Sequence, residues 1–231
     1  MDGLTGVDAC RGGWVAVTLP LGGAANAGAP MARVAVSLAG LGLTGVTGID
    51  MPLGLLAEGW RTVDALARRA LGRRGSTVFA IAPRPVWDEQ VFPAANRRCR
   101  QLTGKGLSVQ AWGLRTALLD ADGYRRACRH QLYEVHPELA FCALAGSPLA
   151  ESKHTPEGRA TRRALLAAAG IELPSARSVR SGPGGPAPAE DDLLDAAAAA
   201  WSAGRIAAGT AVTMTDPGQR GDDGTEIAIR Y

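Results

Sequence analysis

Over the first fifty positions, apolar residues fall in short runs broken by glycine and proline, without a helical period. LTGVDA (4–9) and WVAVTL (14–19) are two such runs. Joined by Arg11-Gly12-Gly13, they read as a β-hairpin. After a loose loop, LGGAANAGAP (21–30), RVAVS (33–37) supplies a third strand. VTGID (46–50) supplies a fourth, stopped at Met51-Pro52 because proline cannot donate to a ladder. From residue 60 the period becomes helical. WRTVDALARRALG (60–72) places Trp60, Val63, Leu66 and Ala70 on one face and Arg61, Asp64 and Arg68 on the other.

STVFAIAPRPVW (76–87) is expected to be a short strand or extended segment ending in a proline-bounded loop. Helices are predicted over 88–103 and 108–128, a strand over QLYEVHP (131–137), and helices again over 138–145 and 157–170. The aperiodic Pro/Gly/Ser/Ala stretch 174–190 predicts a linker or flexible loop. DDLLDAAAAAWSAGRIAAG follows it as a strong helix. Strands first, then strands alternating with helices, predict one α/β domain over 1–231, with a mixed sheet and an inserted helical region.

The chain has 231 residues, 46% of them apolar and 20% charged, which is enough to bury a sizeable core. A net charge of +3 does not by itself argue for nucleic acid. Lys105 and Lys153 are the only lysines, so the positive charge is almost all arginine, a compositional bias more than a binding signature. Cys10, Cys99, Cys128 and Cys142 lack zinc spacing and are expected as reduced thiols. With no secretory signal and no apolar run long enough for a bilayer, a cytoplasmic protein without membrane contact is expected.

Five carboxylates stand in awkward places. Asp8 lies inside the first strand, Asp50 closes the fourth, Glu134 sits in LYEVHP, and Asp192 and Asp195 share one face of the last helix. Each has a structural explanation by itself: Asx-turns at Asp8 and Asp50, solvent exposure for Glu134, a helix N-cap at Asp191 or Asp192. Asp8 and Asp195 are the harder two to explain this way; Asp195 lies past the cap in an alanine-rich stretch with no basic residue within a turn. A buried carboxylate is costly without a positive partner. Two of them about 4 Å apart repel by roughly 4 kcal/mol at an effective dielectric of 20. Convergence of this set therefore calls for a cation, and all-oxygen ligands favour Mg²⁺ or Mn²⁺, held by Asp8, Asp50, Asp192 and Asp195.

His136 could hydrogen-bond a phosphate, orient a ligand or carry a proton, or simply cap the next helix. Arg11, in a weak phosphate-loop pattern with Gly12-Gly13, joins Arg73, Arg84, Lys105, Lys153, Arg159 and Arg163 as candidate phosphate contacts. Lys153 leads them because lysine is so scarce. Trp14, Trp60 and Trp201 fit apolar faces and are assigned to the core, whereas Trp87 and Trp112 flank loops and are candidate base-stackers. No GxxxxGK[ST] motif is present.

GVDACRGGWVAV, GIDMPLGL, Arg61-x-x-Asp64 with Ala67-Arg68, STVFAIAPR, EVHPELAF, SKHTPEGRATRRALL and DDLLDAAAAAWSA occur in that order. Together they resemble the predicted RNase H-like nuclease family known as domain of unknown function 429, over nearly the whole chain. The resemblance implies an RNase H-like fold: a five-stranded mixed sheet, its first three strands antiparallel, with helices on both faces. It also implies hydrolysis of nucleic acid phosphodiester bonds by a two-metal mechanism. Asp8 matches the first-strand aspartate, Asp50 the second acidic position, and Asp192-Leu-Leu-Asp195-Ala resembles the D-x-x-D-A of Holliday-junction resolvases. Asp8 would bridge two ions, Asp50 and Asp195 would hold one each, and Asp192 or Glu134 would complete the shell. The expected partner is a nucleic acid or nucleotide; a homodimer stays open. Two other readings compete: an actin- or sugar-kinase-like phosphotransferase, which would need a second such domain, and a non-catalytic nucleic-acid-binding module.

Overall fold

A computed structural model describes residues 3–20, 29–128, 131–179, 185–186 and 188–231. Its strands are β1 (Leu4–Cys10), β2 (Gly13–Leu19), β3 (Met31–Ala35), β4 (Val46–Ile49), β5 (Gln131–Glu134), β6 (Thr213–Arg220) and β7 (Glu226–Arg230). The helices are α1 (Thr62–Leu71), α2 (Arg84–Trp87), α3 (Phe92–Thr103), α4 (Val109–Gly113), α5 (Arg115–Ala127), α6 (Pro137–Ala145), α7 (Pro156–Ala168) and α8 (Glu190–Ala207). Five strands form one mixed sheet in the order β3-β2-β1-β4-β5. The β1–β2 and β2–β3 pairs are antiparallel, and β1–β4 and β4–β5 are parallel. Gly12 turns the first hairpin with a φ of 85°, a left-handed conformation that suits glycine.

Strand alternation sorts side chains to two faces. Val15 and Val17 pack toward α8, with Leu193, Leu194 and Ala197. Val7, Trp14, Ala16 and Ile49 pack the other way, against Trp87, Ala95, Cys99, Ala111 and Leu118 of the inserted helices. Trp14 Nε1 donates to Asp120 at 2.6 Å, tying α5 to that face. The alanine run of α8 is explained by closeness. A Cβ on Gly6 would lie 2.0 Å from the Ala196 carbonyl, and one on Gly48 2.6 Å from that of Ala199, so the helix backbone rests almost on β1 and β4.

Several local expectations change. The third strand starts two residues early and ends at Ala35, because Leu38 turns inward and its N–H donates to Asp120. Residues 76–87 contain no ladder strand; a 3-10 turn over Gly72–Thr77 leads through extended chain to α2. The helix expected over 108–128 breaks at Leu114 into α4 and α5. Around α1, Val63 is buried and Arg68 exposed, as the amphipathic reading expects. Arg61 (the N-cap) and Asp64 are buried, however, and Ala70 is exposed, a reversal at those three positions. Ion pairing explains the reversal: Arg61 lies 3.3 Å from Asp64 and 2.5 Å from Glu134.

Within the stretch expected to be a linker, Ala176 and Val179 pack into the core beside Leu166 and Ile171. Residues 180–184 and 187 of that stretch, and 21–28 of the early loop, lie outside the described residues. Trp87 is fully buried, donates to the Ala82 carbonyl and stacks on Trp112 with centroids 6.4 Å apart. Trp112 also meets Phe92 and Arg115, so this pair is core packing and not a base platform.

An unexpected hairpin, β6–β7, closes the far edge of the sheet, where Arg230 bridges Val135 in parallel. Ile227 and Ile229 seal a third cluster with Val63, Leu71 and Leu139. Among the described residues, no helix is long and apolar enough to cross a membrane.

Candidate metal centre

Asp8 shares the α8-facing side of β1 with Gly6. The Asp50 N–H donates to the Val7 carbonyl at 2.8 Å, extending the β1–β4 pairing and bringing Asp50 to the same strand ends. Asp195, buried in the second turn of α8, comes down onto them. One carboxylate oxygen from each of the three lies within 4.8 Å of the others.

Burial and mutual repulsion make this an uncomfortable group. Burial first, then Asp50 and Asp195, drive the Asp8 pKa well above the usual carboxylate range. Burial likewise lifts Asp50 and Asp195 to about 6, although Lys153 opposes both shifts. Lys153 is the positive group that the strand pattern left unnamed. Its Nζ donates to Asp195 Oδ2 at 2.5 Å, from 42 residues away in sequence. The other Asp195 oxygen, Oδ1, is buried with no hydrogen-bond partner. Burial works against the ammonium, but Asp195, Asp50 and Asp8 outweigh it and hold Lys153 firmly charged.

The remaining candidates divide sharply. Asp192 lines the same cavity but stands outside the three-oxygen group. It occupies the first turn of α8, whose N-cap is Ala189, and its Oδ2 accepts the Ala189 N–H at 2.8 Å. Burial raises its pKa to about 6. Glu134 has both oxygens engaged, Oε1 by Arg61 at 2.5 Å and Oε2 by the Leu53 N–H at 2.7 Å. Burial still pushes it up to about 7, against the pull of Arg61. His136 holds the N-cap position of α6 without a side-chain cap bond, and its Nδ1 is buried and unpartnered. Burial lowers its pKa, which favours the neutral ring.

Asp8, Asp50, Asp192, Asp195, Glu134, His136 and Lys153 all line one cavity of about 450 Å³. Arg11, Arg84 and Arg163 are not brought there. Arg11 is exposed at the hairpin. Arg84 pairs with Asp122 and Asp222, and Arg163 pairs with Glu190 and donates to the Leu173 carbonyl. Arg73 is exposed, Arg159 donates to the His154 carbonyl, and Lys105 lines a neighbouring cavity with Trp60 and Arg68. Sequence reasoning missed Arg74 and Glu138 in the cavity wall. Glu138 was in view as the last residue of EVHPE; Arg74 sits in an irregular turn that no motif marks.

The donor set fits a hard divalent cation. It is all oxygen, one acceptor is buried and open, and a single lysine leaves three carboxylates short of neutrality.

The fold and site thus define an α/β protein in which Asp8 and the half-buried Asp50, at the carboxyl ends of adjacent strands, meet the buried Asp195 of α8. The family model described as "Protein of unknown function (DUF429)" matches residues 6–220, and the chain belongs to that family. No curated protein and no solved structure matches it.

Proposed function

We propose that the protein is a divalent-metal-dependent phosphodiesterase of RNase H-like fold, acting on nucleic acid or nucleotide substrates, with Asp8, Asp50 and Asp195 as ligands for Mg²⁺ or Mn²⁺. The observation that carries this reading is the meeting of three carboxylates, two buried and Asp50 half-buried, with Lys153 paired to one of them, Asp195. The sheet supports the fold: its first three strands are antiparallel and helices cover both faces, as the family resemblance implies.

When bound, the metal ion supplies positive charge to the phosphoryl oxygens and lowers the pKa of water. Hydrolysis joins a water oxygen to phosphorus and breaks one P–O ester bond, leaving a phosphomonoester and a free hydroxyl. The proton lost by the water needs an acceptor. His136 is suited to take it, because the ring is kept neutral and Nδ1 makes no competing hydrogen bond. Lys153 can donate to a phosphoryl oxygen while keeping Asp195, since an ammonium has three N–H groups. Glu134 supports the site from behind by fixing Arg61 and the Leu53 backbone.

The test is a hydrolysis panel of single strands, duplexes, hybrids and short dinucleotides in Mg²⁺ or Mn²⁺, with Asp8→Asn as control. Metal-dependent cleavage lost in Asp8→Asn supports the reading. Cleavage or phosphoryl transfer seen only with Mg·ATP, or metal-independent nucleic-acid binding unchanged by Asp8→Asn, contradicts it.

A further inference from the structure

We infer that Lys153 is a resident cation of the triad, occupying the electrostatic place of a second metal ion, so that the site holds one divalent ion beside a fixed ammonium. The inference rests on the metal-dependent reading and narrows it from two ions to one ion and a lysine.

Charge is the first support. Asp8, Asp50 and Asp195 set against Lys153 leave two negative charges uncompensated in the triad, which one Mg²⁺ or Mn²⁺ matches. Ligand supply is the second. Lys153 uses Oδ2 of Asp195 and leaves Oδ1 buried and open, so the same carboxylate can serve both cations. The neighbouring acids are already engaged. Glu134 is held by Arg61 and the Leu53 N–H, Asp64 by Arg61 and the Ile81 N–H, and Glu138 by Arg162. Asp192 spends one oxygen on its own helix terminus. Beyond the triad, these acids offer a second ion only single uncommitted oxygens, such as Oδ1 of Asp192, and no second group of three carboxylates among the described residues.

The third support is how Lys153 is presented. The Glu151 carbonyl accepts from Arg162 Nη1 at 3.1 Å and Arg74 Nη2 at 3.2 Å. The Ser152 carbonyl accepts both the N–H and the hydroxyl of Thr155 at 3.0 Å, and Thr155 Oγ1 accepts the Gly158 N–H at 3.1 Å. A Cβ on Gly158 would lie 1.9 Å from the Ser152 carbonyl, so glycine is what lets the turn close onto α7. Backbone bonds on both sides of residue 153 thus fix where the lysine starts. This is a built arm, not a surface lysine that drifted onto an acid.

Calorimetric titration of the metal-free full chain with MnCl₂, with bound Mn²⁺ counted by electron paramagnetic resonance, tests the assignment. Wild type is expected to bind one Mn²⁺ per chain at the triad, and Asp8→Asn none. Lys153→Met removes the competing charge and is expected to bind Mn²⁺ about tenfold more tightly or to admit a second ion. Lys153→Arg should keep the count at one. Two Mn²⁺ per wild-type chain, both lost in Asp8→Asn, would overturn the inference and leave the metal-dependent reading standing, as would a Lys153→Met variant unchanged in count and affinity. Absence of Mn²⁺ uptake by every variant would overturn both. The Lys153 side chain is 30% exposed, so Lys153→Met should fold; if it does not, the wild-type count alone decides.

Discussion

Two clusters in this molecule each gather three aspartates, and they are opposite in design. At Asp122, with Asp222 and Asp223, three arginines answer three acids: Arg84, Arg125 and Arg126. Burial tends to raise the Asp122 pKa, but these guanidinium groups outweigh it and hold the carboxyl below its usual range. At Asp8, Asp50 and Asp195 one lysine answers three acids, and burial lifts the carboxyl groups instead. A neutral cluster ties α5 to the loop before β7. A cluster left deficient in positive charge is one that the proposed cation would complete.

The largest effect should come from changing the deficient cluster. Asp8→Asn or Asp195→Asn should cut metal-dependent hydrolysis more than about 100-fold, since loss of an outer-shell partner alone costs up to that much in metal sites. Asp8→Asn also relieves repulsion without touching the Asp195–Lys153 pair, so that metal-free variant should melt higher than wild type while losing its response to Mn²⁺, as scanning calorimetry would show. An Asp8→Asn protein that melts lower yet keeps that response would break the contrast.

Gly6→Ala should come next. It drives a methyl group into the Ala196 carbonyl and lifts α8, with Asp195, off the strand that carries Asp8. Overpacking of this kind costs about 1–3 kcal/mol, measurable by urea unfolding, and Mn²⁺ affinity should fall with it. In the balanced cluster, Asp122→Asn should cost on the order of 2 kcal/mol through weakened charge-assisted hydrogen bonds, without altering Mn²⁺ binding.

The smallest effect is on pH dependence, and it differs in sign between the clusters. Asp50 and Asp195, raised to about 6, favour the protonated folded protein. Their contribution to stability is fully present below about pH 4 and is lost as pH rises through about 6. Asp122 and Asp223, lowered, contribute stability above about pH 4 that is lost as pH falls through their folded values. Melting temperatures of the metal-free protein should therefore decline between pH 5 and pH 7.5. Mg²⁺ should raise them more at pH 7.5 than at pH 5, because protons and metal compete for the same oxygens. Equal stabilisation at both pH values would count against the triad as the binding place.

Much of this contrast could be read in the sequence, on one side only. Asp8 and Asp50 stood out because strand patterns gave each a definite position, and Asp195 because an alanine-rich helix offered it no excuse. Lys153 was noticed for its rarity but not for its partner, since an irregular loop carries no period that says where it points. Arg61 and Asp64 looked solvated because a helical wheel cannot foresee Glu134, 73 residues downstream of Arg61. The C-terminal hairpin escaped because Pro217 and Gly218 sit where the β6–β7 register shifts, which breaks the alternation a strand would show. Side chains held by neighbours close in sequence were legible; those held across the fold were not.

The central claim is that Asp8, Asp50 and Asp195 together hold a divalent cation. Anomalous diffraction from crystals soaked in Mn²⁺ tests it most directly. The account predicts a peak coordinated by all three carboxylates, with Lys153 still on Asp195. Anomalous density that avoids Asp8, or none at all while the triad oxygens stay in place, would contradict it.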